Sequence, residues 1–353
     1  MIITEQNLRC LILQILQHSG SDEYESRLVA DHLVRANLSG HDSHGVGMVP
    51  TYVKNVRGGL LRPGTPVSLV SDNGVILVFD GHRGYGQRVA TEAMTAAIER
   101  CREKGLTLMA LRNAHHIGRV GDYGEQAAAA GLVSLHFVNV IDHPPLVAPF
   151  GSRVARYATN PICMTMPATA TTPAVILDMA TSKIALGKAR VAMNRGEQLA
   201  SGLILDSEGE PTTDPRVMFQ EPRGSFLPLG EHKGYGLALF CELLAGVLTG
   251  GGTIQPETPR MGGIINNMLT FLVDPQRLGD HRWMEAEIDA VVRYMKESRP
   301  VGDGVMVAGD PERNNIAQRS EAGITVDNAT WQELLQAGVE VGLSRDELAV
   351  YLR

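Results

Sequence analysis

The sequence is poor in cysteine and has no long apolar run. Its four cysteines, Cys10, Cys101, Cys163 and Cys241, are far apart and form no C-x-x-C pair, which is typical of buried free thiols in a reducing compartment. The longest apolar segment, GLALFCELLAGVLTG, has 15 residues and contains Glu242, whereas a membrane-spanning helix needs about 20. The N-terminus also lacks the basic segment and cleavage site of a secretory signal. We therefore expect a cytoplasmic protein that has no membrane partner.

Basic clusters are scarce as well. The formal net charge is -7 at pH 7, and no run of the chain is rich in Lys and Arg. Because nucleic acid binding depends on neutralising phosphates with these side chains, we expect no nucleic acid partner. With 44% hydrophobic residues, the chain of 353 residues can bury a substantial core and form about two domains.

Both ends of the chain show helical patterns. Ser21 is a candidate N-cap, and Gly40 a candidate end, for the second of these helices. Helices are predicted over 8–16 and 22–40, from near Pro50, and over 331–353. We predict a mainly helical domain made of residues 1–70 together with 325–353.

The middle of the chain alternates between strand and helix patterns. Two β-rich arms flank Asn73 and Gly74, a strong hairpin signal. Strands are predicted at 67–80, 106–111, 132–138, 174–180, 266–274 and 304–309, and helices at 86–105, 121–131, 184–194, 234–249 and 284–298. Because a hairpin is combined with helix–strand alternation, we predict an α/β domain with a mixed sheet over residues 71–324.

The segment GHDSHGVGMVP, residues 40–50, places two histidines, an aspartate and a serine side by side. One interpretation is a polar helix start that Asp42 or Ser43 caps. Another is a catalytic site in which His44, with an ordinary pKa near 6.5, transfers a proton and Ser43 or a nearby carboxylate orients it. A zinc site is disfavoured, because H-x-x-H supplies at most two of the three or four ligands, and we assign no metal ligand.

The glycine fingerprint of a Rossmann domain, G-x-G-x-x-G/A between a strand and a helix, is absent. Any dinucleotide must therefore be held by other segments. RNAHHIGRVGDYG, residues 112–124, follows an apolar strand and opens a helix, where backbone N–H groups favour anions. Arg119 in it could pair with a phosphate, but an ordinary glycine-rich turn explains the segment equally well.

Three later segments are further candidates. Asp178 ends a strand, where it could bind a ribose or cap a helix. Lys233 lies among glycines at a helix start and could meet a phosphate or a carboxylate, or be simply solvated. The turn at residues 309–311 leads into a helix that carries Arg313 and Arg319.

Taken together, these segments resemble the malate/L-lactate dehydrogenase family, which includes sulfolactate and ureidoglycolate dehydrogenases and 2,3-diketogulonate reductase. The similarity covers about residues 25–325, in the family's order, and is closest to its hydroxycarboxylate dehydrogenase B branch. It is carried by DSHGVGMVPTYV, HHIGRVGDYGEQAAAAGLVSLHFVN, VAPFG, TNP, LDMATSKIALGKARVA and EHKGYGLAL.

The resemblance implies an NAD- or NADP-dependent oxidoreductase, with NADH favoured, that interconverts 2-oxo and 2-hydroxy acids. It implies a non-Rossmann, three-layer α/β/α cofactor domain with a mixed sheet, a mainly helical domain built from both chain ends, and a homodimer. Other possibilities are reduction of a cyclic imino acid or a diketo sugar acid within the family, a metal-dependent hydrolase, and a nucleotide-binding regulator without catalysis.

By motif, the resemblance implies that His44 is the catalytic proton donor beside the nicotinamide, that Ser43 assists it, and that His116 is a second acid/base candidate. Apart from His44, the cofactor-binding residues that it implies are Arg119, Val120, Gly121, Leu177, Asp178, Met179, Ala180, Thr181, Lys233, Asn267, Asp310, Pro311, Glu312 and Arg313.

The substrate residues expected from the same resemblance are Met48, Thr159 and Lys188. Many family members have an arginine where Met48 stands, and in some it holds the substrate carboxylate. That task must here pass to another group, such as Arg156, Lys188 or a backbone site. Lys188 also replaces an aspartate of an imino-acid-reducing relative, which favours 2-oxo acids over cyclic imines.

Overall fold

Helices and strands alternate along most of the protein, whose computed structural model describes residues 1–302 and 304–352. The α-helices are α1 (Glu5–His18), α2 (Glu23–Leu38), α3 (Val49–Arg57), α4 (Gly86–Lys104), α5 (Gly121–Ala129), α6 (Leu186–Arg195), α7 (His232–Cys241), α8 (His281–Lys296), α9 (Asp310–Ala322), α10 (Asn328–Glu340) and α11 (Arg345–Ala349). The strands are β1 (Ile2–Ile3), β2 (Ser68–Asn73), β3 (Ile76–Asp80), β4 (Leu106–His115), β5 (Val133–Ile141), β6 (Ile162–Met166), β7 (Val175–Met179), β8 (Ile204–Leu205), β9 (Pro211–Thr212), β10 (Ser225–Phe226), β11 (Ile265–Val273) and β12 (Ile324–Thr325).

A seven-stranded mixed sheet forms the centre of the molecule, in the order β2-β3-β4-β11-β5-β6-β7. The β3–β4 pair is parallel, and the other five pairs are antiparallel. The predicted mixed sheet and the hairpin at Asn73 and Gly74 are therefore confirmed. Because β11 lies between β4 and β5, a strand remote in sequence holds the two halves of the sheet together.

One predicted strand is wrong. Residues 304–307 are irregular and lead into a turn at 308–309. The N–H of Val307 donates to Asp310 Oδ2 at 3.0 Å, and the carbonyl of Ala308 accepts from the N–H of Ile176 in β7 at 3.3 Å. The segment therefore touches the sheet edge at one point and is otherwise held by the start of α9. Conversely, β6 and the small sheet β10-β8-β9 were not predicted, because strands of two to five residues give too few alternations to stand out.

Helix boundaries agree closely with the sequence patterns, with three corrections. The helix predicted over 331–353 is interrupted at residues 341–344, between α10 and α11. Asp22, not Ser21, caps α2, and its Oδ1 accepts from the N–H of Glu25 at 2.7 Å. The apolar run predicted as a helix over 234–249 divides into α7 and a π-helix, Glu242–Val247. Within the described chain, no helix is long and apolar enough to cross a bilayer.

A single apolar cluster joins the two ends of the chain. Leu8 and Leu33 from the first two helices pack in one core with Trp331 and Leu334 of α10. Tyr85, from the central segment, also belongs to this cluster. The domain boundaries at residues 70 and 324 therefore stay a prediction.

Two further clusters lie in the body of the protein. Helices α4 and α5 cover the sheet through a core that includes Met94 and Tyr123, and a third cluster surrounds Phe226 of the small sheet. Three cysteines are buried free thiols, as predicted, but Cys10 is exposed. The prediction is wrong there because position 10 lies on the outer face of α1, whose buried residues are Leu8, Leu11, Ile12, Ile15 and Leu16.

Burial lowers the pKa of five histidines, which are His44 (to about 4), His115 (to about 3), His116 (well below its ordinary value), His136 (to about 3) and His143. The unfolded chain takes up protons on these side chains below about pH 6.5, whereas the folded chain does not until much lower pH. We therefore expect the free energy of unfolding to decrease from pH 7 to pH 5, by up to about 1.4 kcal/mol per pH unit for each histidine.

Urea denaturation at pH 7, 6 and 5 measures this dependence. His136 is the suitable variant, because it bonds to Thr270 and Ser134 inside the sheet, at 2.9 Å each. The variant His136→Gln should show a shallower dependence on pH than the unmodified protein. A midpoint that does not change between pH 7 and pH 5 would contradict the expectation.

Candidate active site

His44 ends a short 3-10 helix, Asp42–His44, that follows α2. The turn is fixed by Asp42, whose carboxylate accepts from Arg319 at 2.7 and 3.1 Å and from the Asn37 amide at 2.7 Å. No side-chain hydrogen bond caps this helix, and α3 begins after Met48. Asp42 therefore anchors the turn instead of capping a helix, and His44 is left partly exposed.

His44 lies against His116, which follows the end of β4. Nδ1 of His44 is 3.1 Å from Nε2 of His116, and the two rings are nearly parallel, at 10°. His116 is only 7% exposed. The two histidines predicted as acid/base candidates thus form one pair, in which His44 is the member that a ligand can reach.

Two residues that the sequence did not single out complete this cluster. Nδ1 of His116 is 2.6 Å from the hydroxyl of Tyr52 on α3, and that hydroxyl accepts from Nε2 of Gln87 on α4 at 2.7 Å. Tyr52 and Gln87 are fully buried. Their helices were predicted, but nothing in a helical pattern indicates that these two side chains meet a histidine from the end of a strand.

The pair is neutral at pH 7. Loss of water around the ring, together with repulsion of a proton by His41 and Arg119, lowers the pKa of His44 to about 4. Burial lowers the pKa of His116 well below its ordinary value, and a second proton on the adjacent His44 ring would lower it further. A neutral imidazole carries one proton, so each ring has one donor and one acceptor nitrogen.

Arg119, predicted to bind cofactor, is turned inward. Its side chain is 2% exposed, and its Nε donates to Asp122 at 2.8 Å while Nη2 also pairs with Glu125. Next to it, the N–H of Gly121 donates to Asp178 Oδ2 at 2.9 Å. Asp178 thus ties β7 to the start of α5, so two of the predicted cofactor segments are adjacent.

A second pair of predicted residues is joined through the backbone. The N–H and the hydroxyl of Thr181 both donate to the carbonyl of Thr159, at 3.0 and 2.9 Å. The carbonyl of Thr181 accepts from the N–H of Leu229 at 2.8 Å. Lys233 follows in the exposed first turn of α7. Predicted substrate and cofactor residues are thus brought into one neighbourhood.

The start of α9 contacts the histidine turn. Oε1 of Glu312 is 3.1 Å from Nε2 of His41. Arg313 donates to the carbonyl of Ala174 at 2.9 Å and to Asp310 at 2.6 Å. This segment therefore bridges the turn that carries His44 and the strand that carries Asp178.

Asn267 is placed differently. It lies fully buried in β11, where Oδ1 accepts from the N–H of Asn113 and Nδ2 donates to Asn139 Oδ1, both at 2.9 Å. Its amide is used to hold β4 and β5 to β11. A role in cofactor binding stays a prediction for this residue.

Lys188, Arg156 and Met48, the candidate substrate residues, lie in different parts of the structure. A Cβ on Gly187 would lie 2.3 Å from Cβ of Ser43, so the glycine lets α6, with Lys188 in its first turn, lie directly against the histidine turn. Arg156 instead lines a surface cavity of about 470 Å³ together with Arg260. Met48 packs against the apolar cluster of the chain ends.

Metal ligation was a rival interpretation of the histidines. His41 is paired with Glu312. Nε2 of His115 is hydrogen-bonded to Nδ2 of Asn55, at 2.9 Å. Across residues 1–302 and 304–352, no group of three or more His, Cys, Asp or Glu side chains is arranged to hold a metal ion.

Comparison with known proteins identifies the family. Residues 3–335 match the family model for malate/L-lactate dehydrogenase. The chain is 41% identical over 349 residues to hydroxycarboxylate dehydrogenase B of Escherichia coli strain K12, covering 98% of this chain and 96% of the relative. It is 46% identical over 308 residues to L-lactate dehydrogenase of Cupriavidus necator, covering 87% and 88%.

The fold agrees with this similarity. The solved structure of sulfolactate dehydrogenase from Methanocaldococcus jannaschii superimposes with a TM-score of 0.86 at 30% identity, covering 98% of this chain and 99% of that one. The family model matches nearly the whole chain, and two relatives are more than 40% identical to it. The protein belongs to the malate/L-lactate dehydrogenase family.

Proposed function

We propose that the protein is an NAD(P)-dependent oxidoreductase that interconverts 2-oxo acids and 2-hydroxy acids. The observation that carries the proposal is the His44–His116 pair, of which His44 is partly exposed. Two of the predicted cofactor segments are tied to the elements that carry this pair: Gly121, five residues after His116, is bonded to Asp178, and Glu312 is bonded to His41. The names of the relatives, which are dehydrogenases of lactate, sulfolactate and other hydroxy acids, support the substrate class.

The residues fit a nicotinamide dinucleotide. Lys233 offers an exposed ammonium group for a phosphate, and it follows Leu229, whose N–H bonds to the carbonyl of Thr181. The sheet has a single parallel pair and the glycine fingerprint is absent, which supports a non-Rossmann, three-layer cofactor domain. The segments that would hold the dinucleotide are 119–121, 177–181, 233 and 310–313.

The arginines favour NADH over NADPH. A 2′-phosphate requires an available cation, but Arg119 and Arg313 are each paired with a carboxylate. Arg319, the third candidate, donates to both carboxylate oxygens of Asp42. A 2′-phosphate that used one of these three arginines would have to break its ion pair, whereas a 2′-hydroxyl would not.

His44 performs the proton transfer in this proposal. The bound reduced cofactor would supply a hydride to the carbonyl carbon of the substrate. His44 gives a proton to the developing alkoxide oxygen, and takes it back in the oxidation. Nδ1 of His44 lies 3.1 Å from Nε2 of His116. As His44 gives up its Nε2 proton, Nδ1 would take up another through this hydrogen bond, so that the ring stays neutral.

Lys188 is the better candidate for the substrate carboxylate. It stands in the first turn of α6, whose Gly187 contacts Ser43, while Arg156 lies in the separate surface cavity. A lysine at this position also favours an oxo acid over a cyclic imine, which remains the alternative within the family together with a diketo sugar acid.

A homodimer is the proposed assembly. Five apolar side chains of α7 and the following π-helix are exposed, namely Leu239, Phe240, Leu243, Val247 and Leu248. An apolar face of this kind on a folded chain is typical of a protein interface. The cytoplasmic location stays a prediction.

Oxidation of NADH and of NADPH in the presence of pyruvate, oxaloacetate, 2-oxoglutarate, phenylpyruvate or hydroxyphenylpyruvate tests the proposal. We expect turnover with at least one of these acids, and a higher kcat/KM with NADH. Tight NADH binding without oxidation by any acid would indicate a nucleotide-binding regulator. Chelator-sensitive hydrolysis with stoichiometric metal would indicate a hydrolase.

A further inference from the structure

A buried chain of hydrogen bonds leads from α4 to His44. Gln87 Nε2 is 2.7 Å from the hydroxyl of Tyr52, that hydroxyl is 2.6 Å from Nδ1 of His116, and Nε2 of His116 is 3.1 Å from Nδ1 of His44. Gln87 and Tyr52 are fully buried, and His116 is 7% exposed. His44 is therefore the one residue of the four from which the chain of bonds can reach a ligand.

The direction of these bonds follows from the donors. The Gln87 amide donates to the Tyr52 oxygen, so the single hydroxyl proton of Tyr52 is left for Nδ1 of His116. Burial raises the pKa of Tyr52 above its ordinary value, which keeps that proton in place. Since His116 is neutral and accepts at Nδ1, its own proton is on Nε2.

The same reasoning applies to the next ring. Nε2–H of His116 donates to Nδ1 of His44, so neutral His44 carries its proton on Nε2. This nitrogen is the one not used inside the protein. In the opposite tautomer, Nε2 of His44 would carry a lone pair and would face the carbonyl oxygen of the substrate. Both atoms would then be acceptors, and they would repel each other.

We infer that Tyr52, held by Gln87, is a positioning residue that sets the tautomers of His116 and His44, so that His44 presents Nε2–H to the substrate carbonyl oxygen. The inference rests on the proposed function for its catalytic meaning. The tautomers themselves are a property of the protein without cofactor or substrate, and they can be measured separately.

Nitrogen–proton NMR of the protein carrying isotope-labelled histidine measures the tautomers directly. We expect His116 and His44 both to be protonated at Nε2 and free of a proton at Nδ1. In Tyr52→Phe, His116 loses the donor to Nδ1, and its Nδ1-protonated form should become populated. A wild-type spectrum in which His116 is protonated at Nδ1 overturns the inference, even if no variant can be purified.

Kinetics with the best 2-oxo acid provides the second measurement. For Tyr52→Phe we expect kcat to fall by about 10- to 100-fold, the effect usual for a group that orients a catalytic residue, with little change in the dissociation constant of NADH. Tyr85→Phe is the matched control. Tyr85 is another buried tyrosine, 5.6 Å from Tyr52 between ring centroids, but its hydroxyl makes no hydrogen bond to His116 or His44.

The outcomes separate the two proposals. If the wild-type protein reduces no 2-oxo acid but shows the Nε2 tautomers, the proposed function fails while the tautomer assignment stands. If Tyr52→Phe keeps wild-type kcat and wild-type histidine spectra, the positioning role is wrong. Equal losses of kcat in Tyr52→Phe and Tyr85→Phe, with unchanged histidine spectra, would also contradict the inference. Both hydroxyl groups would then affect the rate only through the packing of the core.

Discussion

Replacement of His44 by alanine is expected to lower kcat for 2-oxo acid reduction by about 10²- to 10⁴-fold, the usual contribution of a general acid. The loss follows because His44 is the partly exposed member of the buried histidine pair. Binding of NADH should change little, since most of the contacts proposed for the dinucleotide come from the other segments, 119–121, 177–181, 233 and 310–313. Steady-state kinetics and NADH fluorescence titration measure the two effects separately.

Two other histidine variants give this experiment its controls. His281 is exposed at the start of α8, and His281→Ala should retain normal kcat. His116→Ala removes the inner member of the pair. If His44→Ala kept near-normal activity while His116→Ala lost it, His116 would be the proton donor and the assignment made here would be wrong.

Gly86→Ala is expected to disturb the candidate site strongly, because the added methyl group meets the backbone that carries His116. A Cβ on Gly86, the first residue of α4, would lie 2.1 Å from the carbonyl oxygen of His115 and 2.4 Å from that of His116. Both atoms are backbone, so no side-chain rotation relieves the clash and the end of β4 must shift. A displacement of about 1 Å at a catalytic group can reduce the rate about 10²-fold.

We therefore expect Gly86→Ala to lose about 10²-fold in kcat and about 1–3 kcal/mol of unfolding free energy. Gly236→Ala in α7 is the matched stability control, because a Cβ there meets no atom within 4 Å and alanine favours a helix by about 1 kcal/mol. Thermal denaturation of both variants tests the contrast. Equal melting temperatures would show that α4 and β4 are not in such close contact.

Much of the fold could be predicted from local sequence patterns. The turn at Asn73 and Gly74 indicated the β2–β3 hairpin, which the register of the two strands bears out, and the apolar positions of α1 are the buried ones. The strand predicted at 304–309 failed because β-rich composition does not show whether a partner strand is available. Its backbone is used by Asp310 instead.

The candidate site could be predicted only in part. The segment that contains His44 and the later segment with His116 stand out by composition. The distance of 3.1 Å between their ring nitrogens, however, depends on the packing of α2, α3 and β4. Arg119 was interpreted as a phosphate ligand because an arginine beside glycines is typical of one, yet its neighbours Asp122 and Glu125 bind it inside the protein.

The sequence by itself determined the family, the helices of both chain ends and the two histidines proposed as the acid/base pair, because these depend on local spacing and on motifs read in order. Only the tertiary structure decided which of the two histidines is partly exposed, and that Tyr52 and Gln87 lie behind them. Contacts between α3, α4 and the end of β4 join residues up to 64 positions apart. Such contacts follow from burial and from hydrogen bonds that must be satisfied in the core, and no local pattern carries them.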